Sequence, residues 1–266
     1  MWRLIVIELN HSEFNIAEPL FAGIQHSQAI VYAVLEGNSP GRIWVDKAQQ
    51  PTCALLFPEG AFYYAAGDEH NETFLRGLPG LFFDELLPQA VEKELVLFSF
   101  SPAWHERLSE VLRHKGILTI QRKMFHFNHK KYQALNDWRS EIPTGLSMRL
   151  IDEQIAAQYS TYQSLLEPTS KRFGFCLMEG EVVACACTSV FVGHGEAEID
   201  IYTEERYRGH GFARLTACAF IDECLRRGLI PNWACWPERE ASWKLALRLG
   251  FEELPDVPAL LWAEDL

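Results

Sequence analysis

Residues 196–202 alternate strictly, with Glu196, Glu198 and Asp200 on one face and Ala197, Ile199 and Ile201 on the other, the pattern of a strand with two unlike faces. The chain then runs through Arg206-Tyr207-Arg208-Gly209-His210-Gly211-Phe212-Ala213 into a stretch where Phe212, Leu215, Thr216, Ala219 and Phe220 recur at helical spacing, as far as Arg227. A strand, a turn with two glycines and a helix with one buried face point to an α/β layer structure. Glycine permits positive φ and close backbone approach, and the first N–H groups of a helix form an anion site without help from a basic protein. A pyrophosphate fits such a site. A plain turn uses the same residues, and only the context separates the two.

The rest of the second half supplies that context. Residues 146–150 read as a short strand, Asp152 as the cap of a helix reaching about Leu166, and residues 173–178 and 182–192 as a hairpin through Glu179-Gly180-Glu181. A strand is predicted over 232–236 and a helix over 239–249, stopped by Gly250. In the first half, strands are predicted over 29–35, 42–45, 53–57, 61–65 and 95–100, with turns such as Pro58-Glu59-Gly60 between them. Helices are predicted over 81–90 and 102–115, the second opened by Ser101 and Pro102. The fold class is α/β, in the α+β mixed-sheet sense. A polar stretch over 132–144, with Asn136-Asp137 and Pro143-Thr144-Gly145, predicts a boundary near residue 140 and hence domains 1–140 and 141–266.

The 24 Lys and Arg against 36 Asp and Glu leave a formal charge of −12 on 266 residues, and both halves are acidic. Phosphate neutralisation along a nucleic acid needs the opposite sign, so no nucleic-acid partner is expected. The opening Met1-Trp2-Arg3-Leu4-Ile5-Val6-Ile7-Glu8 is too short an apolar run for a secretory leader, and no stretch approaches the roughly 18 apolar residues of a membrane span. A cytoplasmic protein with no membrane partner is the expectation. The cysteines number seven, an odd count, and most sit among apolar residues, which reads as buried thiols in a reducing compartment. Cys185-Ala186-Cys187 lies within one expected strand and has no second pair, while His126 and His129 lack a partner cluster, so no metal is implied. Trp233, Trp236, Trp243 and Trp262 read as core residues.

The register of Arg206, Gly209 and Gly211, after a strand and before a helix, resembles the pyrophosphate loop of the GNAT superfamily of acetyl-CoA-dependent N-acetyltransferases. The run Ser242-Trp243-Lys244-Leu245-Ala246-Leu247-Arg248-Leu249-Gly250-Phe251 is similar to that family's last helix and its Gly-Phe ending. The resemblance covers about residues 144–266. A dinucleotide-binding unit fits less well, because Asp222 and Glu223 fall inside the helix instead of ending a second strand.

The resemblance implies acetyl-CoA as donor and a primary amine, on a small molecule, as acceptor, with direct attack in a ternary complex. Backbone groups of Ile201, Tyr202 and Thr203 would pair with the pantetheine arm. The amides around Arg208, Gly209, His210, Gly211, Phe212 and Ala213, with Arg206, would hold the pyrophosphate, and Arg239 and Ser242 would complete that side. A base is expected on the strand before the loop, Glu198 first, then Glu196 and Asp200; a solvated acidic face that attracts a cationic acceptor is the alternative. Two positions depart from the pattern. Many members carry Asn three residues before the Ser, here Arg239, and a Tyr four residues after it that protonates the leaving thiolate, here Ala246. Tyr202, Tyr207, Ser242 or a water remain as donors.

The first half is of comparable size and strand-rich order but has no phosphate loop of this type. It reads as a degenerate GNAT-like copy that shapes the acceptor cleft, an arrangement similar to the zwittermicin-resistance branch of the superfamily. A homodimer is admissible. Two other readings stay open: a non-catalytic acetyl-CoA-binding or regulatory module, and a protein N-terminal or lysine acetyltransferase.

Overall fold

Gly, Pro and polar clusters cut the chain into short apolar runs, and these runs build two units. The computed structural model describes residues 6–58, 60, 62–135, 137–167 and 170–266. The opening run from Met1 to Ile5, Glu59 and Asn136 of two expected turns, and Ala61 at the start of an expected strand lie outside the described residues.

The first unit comprises residues up to Arg122 together with Asp256–Leu266. It holds β1 (Ile7–Glu8), α1 (Glu18–Phe21), α2 (Gln28–Leu35), β2 (Gly41–Val45), β3 (Cys53–Pro58), β4 (Phe62–Gly67), α3 (Glu72–Gly80), α4 (Leu87–Gln89), β5 (Glu94–Ser99), α5 (Pro102–Leu112) and the start of β6 (Leu118–Phe127). The second unit, Lys123–Pro255, holds the rest of β6, then α6 (His129–Gln133), β7 (Leu146–Leu150), α7 (Glu153–Gln158), β8 (Gly174–Glu179), β9 (Val182–Gly193), β10 (Glu196–Thr203), α8 (Phe212–Arg226), β11 (Ile230–Cys235), α9 (Glu240–Arg248) and β12 (Phe251–Glu253). The last strand, β13 (Val257–Ala263), returns to the first unit.

Strand order in the first unit is β1-β2-β3-β4-β5-β13-β6, antiparallel except between β4 and β5. In the second it is β7-β8-β9-β10-β11-β6-β12, antiparallel except between β10 and β11. The two orders repeat. Each has five strands in chain order, a parallel contact between the fourth and fifth, and a strand from elsewhere in the chain set between the fifth and the last. Strand β6 serves in both, since residues 118–122 pair with β13 while residues 123–127 pair with β11 and β12. This is the expected mixed sheet, and the first unit repeats the strand order of the second.

Several elements differ from the sequence reading. Residues 29–35, expected as a strand, are the helix α2; Ala29, Ile30, Val31, Tyr32, Ala33 and Val34 are all buried, and a short run apolar on every side carries no periodicity to tell helix from strand. The helix expected over 152–166 ends at Gln158 and gives way to a 3-10 segment, Ser160–Leu166. Thr161 favours that break, because its β-branched side chain loses χ1 freedom in a helix. Asp152 caps α7 as expected, its Oδ1 accepting from the Ile155 amide at 3.0 Å, and Ser101 caps α5 through Trp104 at 3.1 Å.

Packing divides the chain at Arg122 and Pro255, whereas the polar stretch pointed to residue 140. That stretch is polar because it is clamped to one carboxylate on α8. Asp222 accepts from Tyr132 Oη at 2.7 Å, Trp138 Nε1 at 3.1 Å and Arg139 Nη2 at 2.7 Å, and both aromatic residues are buried in the core around α8. Asp222→Ala would leave the buried Trp138 Nε1 without its acceptor, while Tyr132 Oη keeps the Cys218 carbonyl at 3.0 Å, so a loss of about 2 kcal/mol in unfolding free energy is expected. A denaturant midpoint equal to the wild type would contradict this.

The α8 side of the second unit's sheet carries Phe212, Leu215, Phe220, Trp233, Ala246 and Phe251, and the opposite face carries Ile151, Ile155, Tyr162 and Leu165. Cys185 and Cys187 lie in the first of these layers, and all seven cysteines are free and buried. Burial pushes the thiols of Cys53 and Cys176 up to about 12, which keeps them protonated and inert. Among the described residues no helix is long and apolar enough to cross a membrane.

Candidate active site

Strands β10 and β11 pair only at Glu196 with Ile230, Ala197 with Pro231 and Glu198 with Asn232. Beyond that point β10 continues along β9 to Thr203 and β11 continues along β6 to Cys235, so their facing edges no longer bond to each other and the sheet forks. The fork coincides with a bulge. Glu198 faces Phe191 on β9 but Ile199 faces Ser189, leaving Val190 as the extra residue, and such an insertion bends and twists the local ladder. Ser189, buried, fixes the neighbouring turn by accepting the Phe173 amide at 2.8 Å, and Arg172 donates to the Val190 carbonyl at 3.4 Å and the Ser164 carbonyl at 2.8 Å.

The alternation read from the sequence holds along β10. Ala197 and Ile199 lie in the α8 core with Ile201 packed against it, which leaves Glu196, Glu198 and Asp200 on the opposite face. The three acids differ in setting. Glu196 lies before the fork and accepts from Asn232 Nδ2 at 3.1 Å. Glu198 stands at the last paired position and is only 4% exposed. Asp200 lies past the fork at an exposed position, yet the protein around its carboxyl raises it above the usual carboxylate range by desolvation, against the lowering effect of the Ile201 amide. Tyr162, on the same side of the sheet, has its phenol pushed up to about 12, chiefly by burial.

From Thr203 the chain turns through a short 3-10 segment, Glu205–Tyr207, into the glycine turn. Gly209 has φ +83° and Gly211 φ +80°, a region that favours glycine, and the space a side chain would take at each is open. Gly211 precedes α8 directly, so the amides of Phe212 and Ala213 face outward without intrahelical acceptors, and Phe212, buried, anchors the helix start. Arg208 Nε donates to the Thr203 carbonyl at 3.2 Å, and Arg206 lies over the Tyr207 ring at 4.7 Å. His210 folds back on the turn: its Nδ1 is 3.2 Å from the Tyr207 carbonyl and 3.1 Å from the Arg208 carbonyl, so it acts as a donor that shapes the loop. Tyr207 donates its hydroxyl to Glu179.

On the other arm of the fork, Arg239 is exposed immediately before α9, and Ser242 is half-buried in the first turn of that helix. Ser242 Oγ accepts from Trp233 Nε1 at 3.1 Å. Ala246 is fully buried, and its methyl carries no proton to donate. Trp233 and Trp243 pack in the core of this unit, and Trp262 packs in that of the first. Three features carried no sequence signal: the Trp233 to Ser242 bond, the Asn232 to Glu196 bond and the Val190 bulge. All three depend on which residues meet between elements distant in the chain.

A sheet forked at a parallel pair, with a two-glycine turn leading from one arm into a helix, defines an acetyltransferase of the GNAT type. The chain belongs to the GNAT acetyltransferase family, whose sequence profile matches residues 18–259. It is 31% identical over 261 residues to the uncharacterized N-acetyltransferase YdfB of Bacillus subtilis (strain 168), covering 95% of this chain and 97% of that protein. A solved GCN5-related N-acetyltransferase-like protein from Streptococcus suis 89/1591 is 25% identical, with a TM-score of 0.66 and coverage of 94% of this chain and 98% of its own. A tandem GNAT protein from the clavulanic acid biosynthesis pathway has the same fold at 10% identity, with a TM-score of 0.67 over 97% of this chain and 98% of its own.

Proposed function

We propose that the second unit binds acetyl-CoA in the fork and transfers its acetyl group to a primary amine of a small molecule, with Glu198 as the base. The observation that carries this reading is the end of β10–β11 pairing at Glu198 and Asn232, with the Gly209 and Gly211 turn following on the same arm. The released edge of β10 offers the backbone groups of Ile201, Tyr202 and Thr203 to an extended pantetheine arm, in the manner of an added strand. The open space beside both glycines lets a diphosphate reach the first amides of α8, and Arg206 and Arg208 add local positive charge to an acidic chain. Arg239, exposed just before α9 on the other arm, would complete that side.

The donor supplies an activated acyl carbon. The chain's own residues position the acceptor and take its proton. An alkylammonium must lose a proton before it attacks, and Glu198, buried at the fork, is placed to accept it, with Asp200 as the second choice because its raised carboxyl lies nearer neutrality. The seven free thiols suit a cytoplasmic enzyme.

Among its described residues the first unit does not repeat the two-glycine turn before a helix. Its β4 leads through Gly67, Asp68, Glu69, His70 and Asn71 into α3, where acidic side chains stand at the helix start, and Trp104 Nε1 occupies the Gly67 carbonyl at 2.9 Å. We read it as a degenerate copy whose turn is not built to take a diphosphate. Release of free coenzyme A from acetyl-CoA, followed against a panel of small primary amines and N-terminal peptides, tests the reading. Stimulation by small amines is expected; stimulation by peptides alone, or by nothing in the panel, would contradict it.

A further inference from the structure

Between the end of β10 at Thr203 and the start of α8 at Phe212 the backbone runs through a surface turn, residues 204–211, all exposed except the half-buried Tyr207. The side-chain bonds that brace this turn, Tyr207 to Glu179 and Arg208 to the Thr203 carbonyl, are open to water, so the turn by itself holds the strand end and the helix start at a loosely set distance. A shorter path runs beneath it. Cys185, fully buried on β9 and directly opposite Thr203 in the strand register, has its Sγ 3.1 Å from Thr203 Oγ1 and 3.1 Å from Thr216 Oγ1. Thr216, also fully buried, lies one turn into α8 and donates back to the Phe212 carbonyl at 3.0 Å, sharing the proton with the Ala213 carbonyl at 3.2 Å.

Each of these three groups carries one proton, which sets the direction of the series. Thr216 commits its proton to the helix carbonyls, so the thiol is the donor in the contact with Thr216. The thiol is then the acceptor in the contact with Thr203, whose hydroxyl donates. Burial raises the Cys185 thiol above its ordinary value, against the lowering effect of the two hydroxyls, and the proton that the series needs stays on sulfur. One directed set of buried bonds therefore joins the end of β10 to the first turn of α8.

We propose that Cys185 is a positioning residue that, through Thr203 and Thr216, fixes the distance between the β10 edge that takes the pantetheine arm and the α8 amides that take the diphosphate. The inference rests on the acetyl-CoA site proposed above. Acetyl-CoA carries both groups on one molecule, and two half-sites act together on a linked ligand only while their separation matches its span. Breaking the series leaves each half-site standing and uncouples the two.

The test compares two ligands on the full chain by calorimetry: acetyl-CoA, which spans both half-sites, and adenosine 3′-phosphate 5′-diphosphate, which ends at the diphosphate. Cys185→Ala should weaken acetyl-CoA about tenfold, the loss of two weak hydrogen bonds, and leave the affinity for the nucleotide unchanged. Cys185→Ser, which keeps a donor and an acceptor at that place, should restore most of the difference. Thr216→Val has the same shape and breaks the series from the helix end, so it should act in the same direction, with no further loss when combined with Cys185→Ala. If Cys185→Ala fails to fold, Thr216→Val carries the test. A merely structural thiol would lower the melting temperature and leave the ratio of the two affinities as in the wild type; that result, or an equal loss for both ligands, would overturn the proposal. A wild type that does not bind acetyl-CoA would instead overturn the donor site, and one that binds it with no measurable affinity for the nucleotide would remove the diphosphate half-site; either takes this inference with it.

Discussion

Glu198→Gln is expected to lower kcat by about 10²-fold or more, the usual consequence of losing a general base. The substitution keeps the shape of a side chain that is only 4% exposed, so the fork and its hydrogen bonds survive and acetyl-CoA affinity barely changes. The base role predicts a specific pH signature. With Glu198 in place, kcat falls as pH drops and the carboxylate is protonated in the ternary complex; with Gln, that acidic limb disappears or moves. A carboxylate that merely attracts a cationic acceptor behaves differently, since neutralising it raises KM and leaves kcat largely intact. Asp200→Asn and Glu196→Gln are the necessary comparisons. Glu196 is engaged by Asn232 before the fork and should be the mildest of the three. If all three variants keep the acidic limb and lose less than about tenfold in kcat, positioning of an already neutral amine becomes the better account.

The second unit was the more legible of the two because its elements announce themselves by period. The alternation of residues 196–202, the apolar stripe of α8 and the hairpin around Gly180 each follow from local spacing, and each forms where expected. Residues 29–35 show the limit. Their helix is buried on all sides, so neither a period of 2 nor one of 3.6 is written in it. The strands β6, β12 and β13 carried no local signal that assigned them. Strand β6 alternates weakly because one half answers to β13 and the other to β11 and β12.

The site was legible to a similar degree. The glycines could be located because a turn with φ near +80° at Gly209 and Gly211 requires that residue type, and the acids because they share a strand face. What separates the acids was not legible. The fork lies at Glu198, where the β9 ladder also gains Val190, and an extra residue in one strand has no signature in the sequence of its neighbour. Trp233 reads as core from composition, and it is core; its indole nitrogen finds its acceptor only when α9 folds back to place Ser242 against it.

Acetyl-CoA binding by Gly211 variants of the full chain tests the central claim most directly. The position has φ +80° and open space beside it, so any side chain bears backbone strain of about 1 kcal/mol without a steric clash. Asn and Asp have nearly the same shape, and both tolerate this conformation better than most residues. The pair therefore isolates charge from strain. Gly211→Asn should keep most of the affinity, whereas Gly211→Asp sets a carboxylate where the diphosphate must approach the first amides of α8, and should weaken binding by about 10²-fold relative to Asn as charge-assisted hydrogen bonds give way to like-charge repulsion. Titration calorimetry of the folded proteins reads the outcome. The account predicts one acetyl-CoA bound per wild-type chain and binding about 10²-fold weaker in Gly211→Asp than in Gly211→Asn at the same melting temperature; undiminished affinity in folded Gly211→Asp, or a second site of equal strength per chain, would contradict it.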